Sequence, residues 1–485
     1  MGGFRERGVV EGHYGTPWCH RDRLWLIERI GGWGMNRYVY APKDDPLHRA
    51  RWREPYPDTA LSEFEELVAS GARVGVEVGF ALSPGRSIRY ASSEERAALL
   101  AKFRVFRELG SSWLMLALDD VPSSLAHAED RDAFSSLAEA HVELAGELQQ
   151  ALGPEVTLCV VPTDYLGVEP TPYLDTLGRG LDSAILLAWT GRTVISPSIT
   201  GEEAARRAAT LRRPVLIWDN VPVADGPMRS MLHLGPYGGR DPELAQHVCG
   251  VLLNPMAQVR ASAIVLRTAA AYLANPRAYE PEAAWRDALE EAGEGDPEAL
   301  MLFARAQRYS PLWPDDRDAE LEAAFQRLRR VLGEDGDPAH ALAELREQLE
   351  ARLELHERIR KGVRDTRLVH ELEPWLASHR RETLCMEAAL KALEAFFAPL
   401  PQSAKVFAFF AFQGRLASEP PTGKASYGPR RVLYPQLASL GDETMAFGAD
   451  DALVRDRCLT DELIRLVEEL ALARLGRSAR EGEAG

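Results

Sequence analysis

The sequence has little lysine at its start and no organised cysteine. Lys43 is the only lysine in the first 100 residues; the other basic positions there are arginines. Cysteines stand at positions 19, 159, 249, 385 and 458, an odd number with no C-x-x-C pair. That excludes a zinc ribbon or dithiol redox motif and argues against a disulfide framework, so a reducing compartment is expected. Cys19, in Pro17-Trp18-Cys19-His20, reads as a bystander thiol rather than a nucleophile or ligand. No apolar run is long enough to make a membrane span. The opening Met1–Gly12 has neither an apolar h-region nor a small-residue cleavage site. A cytoplasmic, membrane-free protein is the expectation. Positive charge is not in excess: the formal net charge of −16 speaks against nucleic-acid or anionic-membrane partners. No Gly-rich phosphate loop follows the first apolar run. No His/Cys/carboxylate cluster has metal-ligand spacing, so neither metal nor other cofactor is expected.

What is present is a 485-residue chain, too long for one hydrophobic core. Over residues 1–275, short apolar runs alternate with amphipathic stretches. The predicted strands are Gly8–Glu11, Asn36–Tyr40, Arg73–Val78, Trp113–Leu118, Val156–Val161, Ser183–Ala188, Pro214–Ile217 and Val248–Leu253. Helical patterns lie between most of them: Asp22–Ile30, Ser62–Ser70, Glu94–Leu109, Asp132–Leu152 and Glu202–Leu211. Alternation of this kind implies parallel strands joined by right-handed crossovers, and eight strands suggest an α/β fold of the (β/α)8, TIM-barrel type. A doubly wound open sheet is the alternative. Residues 276–485 change character: Ala, Glu, Leu and Arg dominate, with helical spacing in Asp318–Leu332 and Ala341–Lys361. This half reads as an all-α region with a loop-rich segment at Ser418–Arg431, a last helix over Thr460–Leu475 and a frayed tail over Arg477–Gly485.

The apolar runs of the first half end abruptly in polar or aromatic clusters. These are Glu11-Gly12-His13-Tyr14-Gly15, Tyr40-Ala41-Pro42-Lys43-Asp44-Asp45, Asp119-Asp120, Pro162-Thr163-Asp164-Tyr165, Trp189-Thr190-Gly191, Trp218-Asp219-Asn220 and Asn254-Pro255. Taken singly, an Asp-Asp pair is a cap or turn, Lys43 with Asp44-Asp45 a solvated ion-pair turn, Trp218 a core residue and each Asn a turn former. In a (β/α)8 barrel, however, strand ends converge on one face, where active sites form. Aromatics with neutral hydrogen-bonding residues suit a sugar, and two carboxylates suit glycoside hydrolysis. Adjacent carboxylates cannot readily flank an anomeric carbon from opposite faces. That favours one acid and one orienting carboxylate, with the nucleophile supplied by the substrate.

The run Val9–Trp18 resembles the opening motif of glycoside hydrolase family 84, the O-GlcNAcase and hyaluronidase-type β-N-acetylglucosaminidases. So do Tyr40–Asp45 with Trp52–Pro57, Asp119-Asp120, Trp189–Gly191, Trp218–Asn220, Pro236–Asp241 and Leu253–Pro255. The resemblance covers roughly residues 8–256 and implies a retaining exo-β-N-acetylglucosaminidase that works through an oxazoline intermediate. It implies that Asp119 orients the 2-acetamido group and Asp120 is general acid, then base. Gly12, Lys43, Asn220, Asp225 and Asn254 are implied as sugar-binding positions, Tyr165 as an aid to the acetamido group, Trp218 as its pocket wall, with Thr190 and Val194 nearby. His13 stands where the family usually has Phe, and Cys19 replaces a Ser or Thr. The Asp119 anion is expected to raise the pKa of Asp120 and keep it protonated near neutrality. The implied partner is a GlcNAc-bearing glycan or glycoprotein. The helical half is a candidate groove wall or homodimer contact. A catalytically silent GlcNAc-binding module is the rival reading, which the intact Asp119-Asp120 pair disfavours. A chitinase-type enzyme is disfavoured because its D-x-x-D-x-D-x-E run is missing.

Overall fold

A computed structural model describes residues 3–309, 317–418, 424, 426–427 and 458–482. It divides into two compact units, the first built from residues 3–226 and 236–284, the second from residues 227–235 and the described residues beyond 284.

The first unit contains eight strands: β1 (Glu6–Glu11), β2 (Arg37–Tyr40), β3 (Glu77–Leu82), β4 (Trp113–Ala117), β5 (Thr157–Val161), β6 (Leu186–Trp189), β7 (Val215–Asp219) and β8 (Val248–Leu253). Every neighbouring pair is parallel and β8 pairs back onto β1, with Val9 opposite Leu253, so the sheet is a closed barrel in sequence order. An open doubly wound sheet is thereby excluded. The crossovers carry helices α1 (His20–Gly32), α2 (Asp58–Val74), α3 (Ser93–Glu108), α4 (Ala128–Ala133), α5 (Leu137–Leu152), α6 (Pro172–Gly180), α7 (Gly201–Leu211) and α8 (Val259–Ala274). Strands covered by helices on one side and packed on each other on the other are apolar on both faces. Alternate residues, among them Val39, Ala41, Trp113, Met115, Ala117, Cys159, Val161, Leu216 and Trp218, form one buried cluster that fills the barrel.

Two sequence expectations need correction. The third strand was expected over Arg73–Val78, but Arg73 and Val74 close α2, which stops at Gly75 with φ 73°. Glycine adopts that left-handed conformation without a Cβ penalty, so the strand starts only at Glu77. The single helix expected over Asp132–Leu152 is broken after Ala133, because Ser136 is extended and caps a new helix by accepting from the Glu139 amide.

β1 ends on a buried charge. Glu11 accepts from Arg23 Nε at 2.8 Å and Arg23 Nη2 at 2.9 Å, from the Trp18 amide at 3.1 Å, and from the Tyr38 hydroxyl. Glu11 has no measurable exposure and Arg23 very little. The network ties α1, β2 and the β1 loop to one carboxylate.

The second unit is helical, with the stretch predicted over Ala341–Lys361 divided into Ala339–Leu353 and Leu355–Gly362. A long helix, Thr366–Phe397, supplies Met386, Leu390, Leu393 and Phe396 to a core shared with Leu321, Phe325, Leu328, Leu345 and Leu349. A buried Arg352–Asp318 pair, 2.6 Å at its shorter contact, lies in the same unit. The last helix runs Leu459–Gly482, longer than the expected Thr460–Leu475; it takes in residues 477–482 of the tail expected to fray, and residues 483–485 lie outside the described residues. Most of the loop-rich segment expected over Ser418–Arg431 lies outside the described residues. Among the described residues no helix is long and apolar enough to cross a membrane.

Replacing Arg23 by Met should destabilise the first unit by about 3–5 kcal/mol, since it strands the Glu11 carboxylate in the interior. Tyr38→Phe should cost only about 1–3 kcal/mol. Urea denaturation of both variants beside the parent chain checks the ranking, and an equal loss would count against it.

Candidate active site

The carboxyl ends of the strands bring the expected residues to one mouth. Asp119 and Asp120 follow β4 after Leu118. The Leu118 amide donates to Val161 O at 2.8 Å, and Thr163 Oγ1 donates to Leu118 O at 2.9 Å. The backbone behind the pair is thus pinned to β5 and its loop.

Lys43 reaches in from the end of β2. Its Nζ donates to Asp119 Oδ2 at 2.7 Å and lies 3.4 Å from Asp120 Oδ2. The ammonium also sits 5.7 Å from the centroid of the Trp218 ring. Burial opposes its charge, but Asp119 and then Asp120 outweigh that, and Lys43 titrates above the ordinary lysine range. The second oxygen of Asp119, Oδ1, is buried with no hydrogen-bond partner among the described residues.

Asp120 is the more open of the two, its side chain 27% exposed against 13% for Asp119. Its Oδ2 also receives Arg49 Nη2 at 2.7 Å and the Tyr14 hydroxyl at 3.0 Å. Burial pushes this carboxyl up, but Lys43 and Arg49, helped by Tyr14, hold it below the usual aspartate range. This corrects the expectation that the Asp119 anion would keep Asp120 protonated. Lys43 neutralises that neighbour, and two cations face Asp120 directly.

The rest of the mouth is a linked set. The Gly12 amide donates to Asn254 Oδ1 at 3.1 Å, Asn254 Nδ2 donates to Asn220 Oδ1 at 2.8 Å, and the same oxygen accepts from Trp218 Nε1 at 3.0 Å. Asn220 Nδ2 donates to Val194 O at 2.6 Å. Val194 therefore enters through its backbone. Asp225 accepts from the Tyr14 amide at 2.8 Å, and its carboxyl is shifted upward chiefly by burial. The Tyr165 phenol is pushed up to about 12 by burial, with Asp119 and Asp120 adding to the shift. Thr190 is different: its hydroxyl donates to Thr193 O at 2.9 Å and its amide to Tyr165 O at 3.0 Å. It shapes the turn that carries Tyr165.

β7 is fixed by a buried pair. Arg240 contacts Asp219 through Nε at 2.8 Å and Nη2 at 2.5 Å, and the Tyr237 hydroxyl adds a bond at 2.7 Å. The backbone carbonyl of Asp219 accepts from the Asn254 amide at 2.7 Å. Sequence reading named Asp219, Tyr237 and Arg240 within motifs but gave them no function; it missed Arg49 entirely. Arg49 lies between the Lys43 and Trp52 motifs, in a stretch where arginine is common. His13 is buried, with its ring 5.5 Å from that of Trp18. Cys19 is exposed, its thiol 3.0 Å from Asp22 Oδ2. Among the described residues no group of His, Cys, Asp and Glu is placed to hold a metal ion.

A half-buried acid pair, a bridging ammonium, hydrogen-bonding amides and an indole wall can bind a polar ring and move a proton. The sequence profile described as beta-N-acetylglucosaminidase matches residues 7–305. The protein O-GlcNAcases of Rattus norvegicus and Mus musculus are each 35% identical over 271 residues. The match covers 55% of this chain but only 29% of theirs, so this chain aligns with under a third of those proteins. Among solved structures, a mutant of the Thermobaculum terrenum O-GlcNAc hydrolase is similar with a TM-score of 0.83 and 31% identity, covering 99% of this chain and 97% of that one. CpGH84B is similar with a TM-score of 0.77 and 26% identity, over 86% of this chain and 73% of that one.

Gly12 is a steric test of the mouth. A Cβ there would lie 2.4 Å from Trp218 Cζ2, so Gly12→Ala must displace the indole and should cost about 1–3 kcal/mol. Gly146, inside α5 with open space around it, is the control, where alanine should stabilise by up to ~1 kcal/mol. Thermal melts followed by near-ultraviolet circular dichroism check both signs.

Proposed function

The chain belongs to the β-N-acetylglucosaminidase family, glycoside hydrolase family 84, and on that premise we propose that it is a retaining exo-β-N-acetylglucosaminidase. It removes terminal β-linked GlcNAc, and GlcNAc on Ser or Thr of proteins is the substrate that the names of its relatives point to. Five free cysteines favour a reducing compartment, which we take to be the cytoplasm.

The observation that carries this reading is the state of Asp119. One oxygen holds Lys43 and the other is buried without a donor among the described residues. An unsatisfied buried acceptor costs roughly 1–3 kcal/mol, and such groups call for an explanation when they occur. An acetamido N–H supplied by the substrate fits that oxygen. With the N–H held, the acetamido carbonyl oxygen is directed at C1 and acts as nucleophile. Positioning of this kind removes up to roughly 7–11 kcal/mol of barrier.

The first displacement forms a bond from acetamido oxygen to C1 and breaks the glycosidic C–O bond. Asp120 gives its proton to the leaving oxygen. Positive charge develops on the acetamido group, and the Asp119 anion stabilises it. Water then attacks C1, Asp120 takes the water's proton, and the oxazoline reopens. Two displacements leave the β configuration in the product. Gly12, Asn220, Asp225 and Asn254 bind the sugar hydroxyls in this scheme, while Tyr165, Trp218, Thr190 and Val194 surround the acetamido group. The linked side-chain amides of Asn254 and Asn220 and the indole N–H of Trp218 favour such binding because they are already oriented.

Two aspartate variants test the assignment. Asp119→Asn should slow the first step ~10²-fold or more for every leaving group, since the charge it stabilises develops in each case. Asp120→Asn should spare dinitrophenyl-type substrates and slow alkyl ones by ~10²–10⁴. kcat/KM measured against leaving-group pKa reads the difference, and the reverse pattern would exchange the roles. The first-formed anomer, followed by NMR, should be β; α-GlcNAc appearing first would overturn the internal nucleophile.

A further inference from the structure

Asp120 is met by more positive charge than a proton donor can use. Three donors converge on Oδ2: Arg49 at 2.7 Å, Tyr14 at 3.0 Å and Lys43 at 3.4 Å. Asp119 shares Lys43 with it, and Tyr165 also faces it. A carboxyl in that company favours its anion. The first step of the reaction nevertheless needs its proton, which withdrawal of one of these donors would favour.

The geometry says which one. Lys43 is buried and bound more tightly to Asp119 than to Asp120. Tyr14 is neutral, and its hydroxyl can turn to accept from a protonated carboxyl. Arg49 is a full charge on a side chain 24% exposed, and beyond Asp120 it meets Tyr14, with Nη1 3.4 Å from the hydroxyl and the guanidinium 5.6 Å from the ring centroid. Its backbone, by contrast, is held. Lys102 Nζ donates to Leu47 O at 2.6 Å, Trp52 O at 2.9 Å and Glu54 O at 2.7 Å, and His48 Nδ1 lies 2.8 Å from Ala81 O. Movement is therefore left to the Arg49 side chain. The oxygen that Asp120 must protonate is bonded to the aglycone, so an aglycone seated against Asp120 Oδ2 would compete for that place with the guanidinium, which lies 2.7 Å away.

We propose that Arg49 gates Asp120: its guanidinium holds the carboxylate until the aglycone displaces it, and Asp120 takes up its proton only with substrate in place. Arg49 is then a positioning residue acting through Asp120, and the inference rests on Asp120 being the general acid. In kcat/KM the basic limb reports the acid of the free protein, and in kcat that of the complex. With Arg49 in place the limb in kcat/KM lies at lower pH than the limb in kcat. Arg49→Gln removes a cation that lowers the pKa of Asp120, so its kcat/KM limb should move up by roughly one unit or more and meet the kcat limb. Arg49→Lys keeps a charge and should stay near the parent.

Coincident limbs in the parent, or an unmoved limb in Arg49→Gln, would overturn the gate. A second measurement does not depend on that variant folding. Calorimetric titration of the parent with methyl 1-thio-β-GlcNAc at pH 7, in two buffers of different ionisation enthalpy, should show uptake of up to about one proton per site; no uptake overturns the gate as well. Asp120→Asn separates this from the reading beneath it. If that variant keeps the basic limb, Asp120 is not the acid. If it loses the limb while Arg49→Gln leaves it unmoved, the acid stands and the gate falls.

Discussion

Two carboxylates on consecutive residues cannot both be charged at a half-buried strand end without a counterion. At about 4 Å their repulsion approaches ~4 kcal/mol in a protein-like dielectric. Lys43 is that counterion, 2.7 Å from Asp119 and 3.4 Å from Asp120. It arrives from β2 while the aspartates follow β4, with β3 between them. Only the parallel, sequential closure of the barrel puts those two strand ends on the same rim at side-chain reach. The rest of the mouth is arranged around this charge balance: the indole of Trp218 against the ammonium, Gly12 against the indole, and the Asn254–Asn220 relay behind both.

The mouth is braced at two places by buried arginine–carboxylate pairs. Arg23 holds Glu11 at the end of β1, and Arg240 holds Asp219 at the end of β7. Buried ion pairs add little net stability over an apolar replacement, because desolvation offsets much of the attraction. What the two pairs supply is orientation. The residue after Glu11 is Gly12, and Asp219 stands between Trp218 and Asn220. A rotation of either strand end would move a site residue, and a bidentate guanidinium resists rotation better than an apolar contact does.

Most of this architecture was readable from the sequence, because parallel barrel strands are apolar runs with a sharp end and the sharp end is where chemistry collects. β8 has the expected bounds, Val248–Leu253, and every expected site residue lies at the mouth, although Val194 contributes its carbonyl and Thr190 a turn. The misplacement of β3 came from Arg73 and Val74, whose apolar-looking run is the last turn of α2. The larger miss was electrostatic. Sequence shows Asp119 beside Asp120 and so suggests like-charge repulsion. It does not show Arg49, 71 residues away from Asp120, or Tyr14, 106 residues away. Neighbours in the chain are legible; neighbours across a barrel mouth are not, and here the distant ones set the sign.

That sign also bears on the different roles proposed for the adjacent aspartates. Past the end of β4 the strand alternation lapses, so both side chains reach Lys43, but their surroundings diverge at once. Asp119 is the less exposed, with a close ammonium on one oxygen and, among the described residues, no hydrogen-bond partner on the other. Asp120 is the more exposed, and its partners Arg49 and Tyr14 are themselves partly exposed. A less exposed carboxylate with a permanent counterion suits an anion that must stay an anion throughout a reaction. A more exposed carboxylate whose counterion can be displaced suits a group that must gain and lose a proton. Divergent environments of this kind are how pairs of like residues acquire separate acid and base duties. In this chain the divergence is produced within a single peptide unit, by what reaches each side chain from the other strands.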